Sequence, residues 1–305
     1  MYQRHFDLQQ MPFGLTPDTS FFVPLQQHQD VMAVLKTALA TGEGFIKICG
    51  EVGSGKTLLC RKLLQQAEQD WQIAYIPDPY LSPAELRWAL ALELGLKYSA
   101  NIDSPQLLQL LQRQLMLMAG QGKKAIVLID EAQALPNETL EALRLLTNLE
   151  TEQRKLLQVV LFAQPELDSR LSAYQFRQLR QRITFSCQLS AMSRAQVAAY
   201  LCQRLEQAGA RHCLFSHAAL RSISHYSRGI PRLVNILAHK ALLLAFGEGK
   251  AEAGYLHVRL AAIDTEVVSP KPWQWPKLML GTACLTLTVC VLIVASHSGL
   301  LQELL

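Results

Sequence analysis

Phe45-Ile-Lys-Ile-Cys-Gly50-Glu-Val-Gly-Ser-Gly-Lys-Thr57-Leu-Leu59 reads as a short buried strand, a glycine-rich turn and the start of a helix. The spacing from Gly50 to Gly55-Lys56-Thr57 is that of a phosphate-binding loop. Gly50, Gly53 and Gly55 allow backbone conformations closed to residues with a Cβ, so that amide N–H groups can turn toward an anion. The helix that begins near Lys56 adds the positive end of its dipole. The expected nucleotide cradle therefore runs from Gly50 through Glu51, Val52, Gly53, Ser54, Gly55, Lys56 and Thr57 to Leu58. In it Lys56 reaches the β- and γ-phosphates and the Thr57 hydroxyl ligates Mg²⁺.

Downstream, Ala125-Ile-Val-Leu-Ile129 is an unbroken apolar run, the pattern of a central strand covered on both faces. It ends in Asp130-Glu131, a costly pair to bury unless a cation waits there. With a phosphate-binding loop upstream, that cation is Mg²⁺, held by Asp130, while Glu131 polarises the attacking water. Leu157-Gln-Val-Val-Leu-Phe162 is the next strand and ends at Ala163-Gln164-Pro165. Gln164 is read two ways: it positions the water, or it caps the helix that follows. Ile183-Thr-Phe-Ser-Cys187 is a final strand, and Ile73-Ala-Tyr-Ile76 an earlier one. Arg177, Arg180 and Arg182 lie within two turns before the last strand. They are either a solvated basic face or an arginine finger offered to a neighbouring subunit's nucleotide.

Around these strands the pattern is helical. Residues 25–41 carry Leu25, Val31, Val34 and Leu35 at helical spacing, and the helix after the loop continues to about Gln69. Ser82-Pro83-Ala84-Glu85 is a capping box with proline at the first helical position, and Ser104-Pro105 starts another helix. From Ser190 to Glu266 everything is helical: Ser193 caps a helix to about Ala208, Ser216 begins one reaching Ser227, and Gly229-Ile-Pro-Arg232 begins a third to about Phe246. Arg232 falls in a first turn, where the dipole disfavours a cation, so an anion is expected beside it. Before the first helix, residues 1–24 mix prolines with Phe6, Phe13, Phe21 and Phe22, more a strap than a domain.

Composition sets further bounds. Half of the 305 residues are hydrophobic, which already hints at a membrane segment. The formal charge of +4 comes from 29 basic and 25 acidic residues with no basic block, so no nucleic-acid partner is expected. Seven scattered cysteines without a C-x-x-C pair argue against a metal site or a disulfide framework and fit a reducing compartment. The first thirty residues have no apolar core of a signal peptide. Residues 267–277 are a linker with Lys271, Trp273, Trp275 and Lys277. Leu278 to Ala295 then runs without a charge, long enough to span a bilayer as a helix, and the Trp/Lys collar before it suits the interface. Expected is a single pass with the catalytic part cytoplasmic and residues 296–305 outside.

The phosphate loop, the Asp-Glu strand end, Gln164, the arginines before the last strand and Gly229-Ile-Pro-Arg232 occur in the order of an AAA+ ATPase, which the chain resembles. More narrowly it is similar to the general secretion pathway A (ExeA-like) ATPases and most of all to their MSHA-type pilus biogenesis members. The narrower resemblance rests on Pro12-Phe13, Thr16-Pro17-Asp18, the loop itself, Asp130-Glu-Ala-Gln133, Gln164-Pro-Glu-Leu167, Gln181-Arg-Ile183 and Gly229-Ile-Pro-Arg-Leu-Val-Asn235. It implies an α/β P-loop NTPase with a five-stranded parallel sheet over residues 25–189, an all-helical lid over 190–266, and a C-terminal transmembrane helix over 278–295. It further implies ATP with Mg²⁺, Gln164 as the first sensor, Arg232 as the second, and Arg177 or Arg182 as the finger of a homo-oligomer. The implied setting is the bacterial inner membrane, with pilus or secretion assembly proteins as partners. Ala163 departs from the glycine common before Gln-Pro-Glu-Leu, and the tail is too short for the peptidoglycan-binding domain of secretion-type members.

Overall fold

The computed structural model describes residues 2–14, 23, 25–97, 102–150, 155–266 and 268. Thr16-Pro17-Asp18, Phe21, Phe22, the Pro/Trp linker beyond residue 268 and the apolar stretch 278–295 lie outside the described residues. Among the described residues no helix is long and apolar enough to cross a membrane.

Strands and helices alternate from the first helix onward. They are α1 (Gln26–Thr41), β1 (Phe45–Gly50), α2 (Lys56–Gln65), β2 (Trp71–Ile76), α3 (Pro83–Glu93), α4 (Ser104–Gly120), β3 (Lys124–Ile129), α5 (Asn137–Leu146) and β4 (Leu157–Ala163). The chain continues through α6 (Pro165–Leu171), α7 (Arg177–Arg182) and β5 (Phe185–Leu189). It then becomes purely helical: α8 (Arg194–Gln207), α9 (His217–Ser227), α10 (Pro231–Gly247) and α11 (Tyr255–Ile263).

The five strands form one parallel sheet in the order β2-β3-β4-β1-β5. Because successive side chains on a strand point to opposite faces, one apolar run feeds two cores. Phe45, Ala125, Val127, Ile129, Val159 and Leu161 pack beneath α3 to α7. Ile46, Ile48, Ile126, Leu128, Val160 and Phe162 pack beneath α1 and α2. The three-layer sandwich follows from that alternation. Only β5 is largely exposed, as an outer strand paired on one side with β1, and it carries Ser186 and Gln188 outward.

Several boundaries differ from the sequence expectation, among them the start of β2, which lies at Trp71, two residues before Ile73. Helix α2 stops at Gln65 instead of running to about Gln69, because the chain must turn early to bring Trp71 level with Lys124; the Trp71 amide donates to Glu68 O across that turn. Strand β5 begins at Phe185, two residues late, because α7 keeps the helical path to Arg182 and Ile183 serves as its C-cap. The capping boxes stand. Ser82 Oγ accepts from Glu85 N at 3.3 Å while the Glu85 carboxylate accepts from Ser82 N at 2.7 Å, and Ser193 with Gln196 repeats the exchange at the start of α8. Each such cap is worth about 1 kcal/mol.

The N-terminal segment packs on the C-terminal helices. The Tyr2 hydroxyl and His239 Nδ1 are 3.1 Å apart, the rings of Phe13 and Phe215 lie 6.0 Å apart, and Gln9 N donates to Ala208 O at 2.8 Å. The helices are tied in turn to the segment that follows β5. Met192 N donates to Gly229 O at 2.9 Å, and Gly229 has φ +75°. A Cβ at Gly229 would lie 2.1 Å from Met192 O, so the turn before α10 accepts only glycine.

Candidate functional site

The strand order decides which loops meet. β4 lies between β3 and β1, so their C-terminal ends present Asp130-Glu131, Gln164 and the phosphate loop side by side. In an open parallel sheet that is where ligands bind.

The loop leaves β1 at Gly50, turns at Gly53 (φ +81°) and enters α2 through Gly55 (φ +99°). Both glycines are left-handed, which a side chain resists. Gly53 has a second constraint: a Cβ there would lie 2.5 Å from Arg232 Cβ, because Arg232 N donates to Gly53 O at 3.2 Å and seats the first turn of α10 on the loop. Ser54 and Lys56 are buried, while Glu51 and Val52 are exposed on the rim. Lys56 Nζ donates to Gly50 O at 2.8 Å and Glu51 O at 3.0 Å, which holds the ammonium at the mouth of its own loop. Burial pulls the Lys56 pKa down, against the nearby Glu131 and Asp130 carboxylates, which pull it up.

Asp130 is buried at the end of β3, bonded by the Thr57 hydroxyl and by Glu131 N. Burial pushes its pKa up, against those two bonds. A buried carboxylate beside a threonine hydroxyl and a phosphate cradle is a donor set suited to a hard divalent cation. Glu131 has φ +50°, a left-handed conformation uncommon for glutamate, and it opens the 3-10 turn Ala132–Ala134. Its Oε2 accepts from Gln164 Nε2 at 2.8 Å and from Gln133 Nε2 at 2.6 Å. Burial raises the Glu131 pKa, but the two amides and the Lys56 charge more than offset it and hold the carboxyl below its usual range.

Of the two readings of Gln164, the helix cap is the one that the structure does not show. Gln164 stands at the N-cap of α6, yet its side chain makes no cap bond and turns to Glu131 instead. Arg232 lines the cleft. Arg177 and Arg182 do not line their own chain's cleft: Arg177 is exposed, and Arg182 Nη1 donates to Thr147 Oγ1 at 3.5 Å.

The cleft itself is about 310 Å³. Its far wall was not read from the sequence. There Arg204 Nη1 donates to Tyr200 Oη at 2.9 Å, Tyr200 Oη donates to Asn235 Oδ1 at 3.0 Å, and Arg204 Nε donates to Pro12 O at 2.7 Å. Gly14, Tyr200, Arg204 and Asn235 all line the cleft. Asn235 stood inside a motif already singled out; Tyr200 and Arg204 had only an i, i+4 spacing on α8 to mark them.

Residues 39–171 match the family described as the AAA domain. Over this stretch the chain is similar to AAA domains. Over 275 residues the chain is 39% identical to General secretion pathway protein A of Aeromonas hydrophila, covering 90% of this chain and 50% of that protein. Over 130 residues it is 33% identical to the ATP-dependent target DNA activator B of Escherichia phage Mu, covering 43% of this chain and 39% of that protein. The chain thus spans half or less of the length of these curated relatives. Among solved structures it resembles Cdc6p of Pyrobaculum aerophilum, with TM-score 0.62, 19% identity and coverage of 86% of this chain and 70% of that one. It also resembles the Aeropyrum pernix ORC2 protein in its ADPNP-ADP complexes, with TM-score 0.57, 18% identity and coverage of 81% and 68%. Those two likenesses are of fold. The matched stretch contains the complete phosphate loop from Gly50 to Thr57.

Proposed function

We propose that this chain is an ATP-binding AAA ATPase anchored in the bacterial inner membrane, with its catalytic part cytoplasmic. There it couples ATP binding and hydrolysis to assembly of a type IV, MSHA-like pilus or a secretion complex. The 39% identity to General secretion pathway protein A, sustained over 90% of the chain, carries this reading. The uncharged stretch 278–295 with its Trp/Lys collar supports the anchor. Residues 25–189 act as the catalytic core and 190–266 as a lid, joined at Gly53 and Arg232.

In this reading Lys56 and the amides of the loop hold the β- and γ-phosphates, and Arg232 approaches them from the lid. Thr57 and Asp130 hold Mg²⁺, which when bound draws negative charge off the phosphate oxygens. Glu131 takes a proton from the attacking water, and Gln164 fixes the carboxylate that does so. Arg177 or Arg182, turned away from their own cleft, complete the site of a neighbouring copy. Such fingers contribute ~10³–10⁵ in rate, so specific activity of the full chain in detergent is expected to rise with concentration. Arg177→Ala or Arg182→Ala is expected to flatten that rise; a flat wild-type curve with both variants at the wild-type rate would leave these arginines as ordinary surface.

A DNA-associated regulator is the second reading, favoured by the match to the ATP-dependent target DNA activator B, which spans 43% of the chain. The experiment that separates the two is fractionation of cells expressing the full chain, followed by identification of co-purifying proteins. Retention in the membrane through a high-salt wash, with pilus or secretion components, is the expected result. Release by salt together with DNA would favour the second reading.

A further inference from the structure

Gln133 is used at both ends of its amide. Its Nε2 donates to Glu131 Oε2 at 2.6 Å, and its Oε1 accepts from Gln164 N at 3.0 Å. The backbone around it is clamped as well: Arg170, from α6, donates through Nη1 to Gln133 O at 2.6 Å. Through Nη2 it donates to Leu135 O at 2.7 Å and to Asn137 Oδ1 at 2.6 Å. The 3-10 turn is thereby pinned to α6, and Glu131 is held at the head of that turn in its left-handed conformation.

The consequence lies in which oxygen is occupied. Gln133 and Gln164 both bond Oε2, so one oxygen of Glu131 carries both amides. A carboxylate oxygen that already accepts two hydrogen bonds is a poor proton acceptor, and the other lone pairs are where basicity remains. We propose that Gln133 is a positioning residue of the ATPase site: it locks Oε2 of Glu131 in concert with Gln164, so that Oε1 alone is presented to the attacking water. A carboxylate free to rotate about its last torsion offers either oxygen in a broad range of directions. The amide lock removes that freedom, and Gln133 also fixes the end of β4 from which Gln164 arises. This inference rests on Glu131 being the base.

The test uses the full chain in detergent and four proteins: wild type, Gln133→Met, Glu131→Gln and the double variant. Methionine keeps the length and shape of glutamine without either polar end. Gln133→Met is expected to lower kcat roughly 10–100-fold, the cost of a misdirected base, with KM for ATP and ATP affinity within about threefold of wild type. A merely structural role for Gln133 would disturb KM and ATP affinity along with kcat. Adding Gln133→Met to Glu131→Gln should cost nothing more, since the lock has no base left to position. Wild-type kcat in Gln133→Met, or a loss that falls on KM and ATP affinity as much as on kcat, beside an inactive Glu131→Gln, would overturn the proposal and leave the base assignment standing. Wild-type turnover by Glu131→Gln would overturn both.

Discussion

Replacing Lys56 by alanine is expected to weaken ATP binding by ~10²-fold or more, the loss of charge-assisted bonds to phosphate each worth about 1.5–3 kcal/mol. Two effects act together. The ammonium is the cation the cradle aims at the terminal phosphates, and it also ties the loop to itself through Gly50 O and Glu51 O. Without it, Asp130 and Glu131, which both act on Lys56, lose a cation that offsets their repulsion of the incoming phosphates. Arginine does not substitute, because a planar guanidinium does not fit the point-charge position at the mouth of the loop. Calorimetric titration of the full chain with ATP and Mg²⁺ checks this. A Kd within about threefold of wild type would remove Lys56 from the cradle.

Glu131→Gln is expected to separate binding from turnover. The amide keeps the size and polarity of the side chain but takes no proton, so phosphate release falls by ~10²–10⁴-fold while ATP affinity holds. The base is tuned by its neighbours in a way that fixes the pH window. Its folded pKa lies below the ordinary carboxylate value, because Gln164, Gln133 and Lys56 outweigh burial. Wild-type activity is therefore limited by Glu131 only on the acidic side of that ordinary value, and it falls as pH drops through the lowered pKa.

The residues that carry chemistry were legible because their chemistry is local. Gly53 and Gly55 announce left-handed backbone, the strand ending in Asp130-Glu131 announces a buried charge in need of a partner, and Pro231-Arg232 announces a cation at a helix start. The five strands were legible for the same reason, as apolar runs punctuated by turns, and all of them begin and end within two residues of expectation. What the sequence left open depends on contacts far apart along the chain. Gln164 offered two readings, and its bond to Glu131, 33 residues away, has no local signature. The bond from Arg204 to Pro12 spans 192 residues and has no local signature. Gln133 stood in a quoted motif with no role, because a glutamine two residues past the base announces neither a donor nor an acceptor until its partners are placed. The boundary of β5 slipped because α7 runs to Arg182 with Ile183 as its C-cap, and the pairing with β1 that fixes the strand is not local.

The central claim is that one cleft both holds ATP and hydrolyses it through Glu131. The most direct measurement loads the full-length Glu131→Gln protein with ATP and Mg²⁺, removes free nucleotide, waits through many wild-type turnovers, then quenches with acid and identifies what is bound. The account predicts intact ATP on the variant and ADP on the wild type handled in parallel. ADP on the variant, formed as fast as on the wild type, would contradict it.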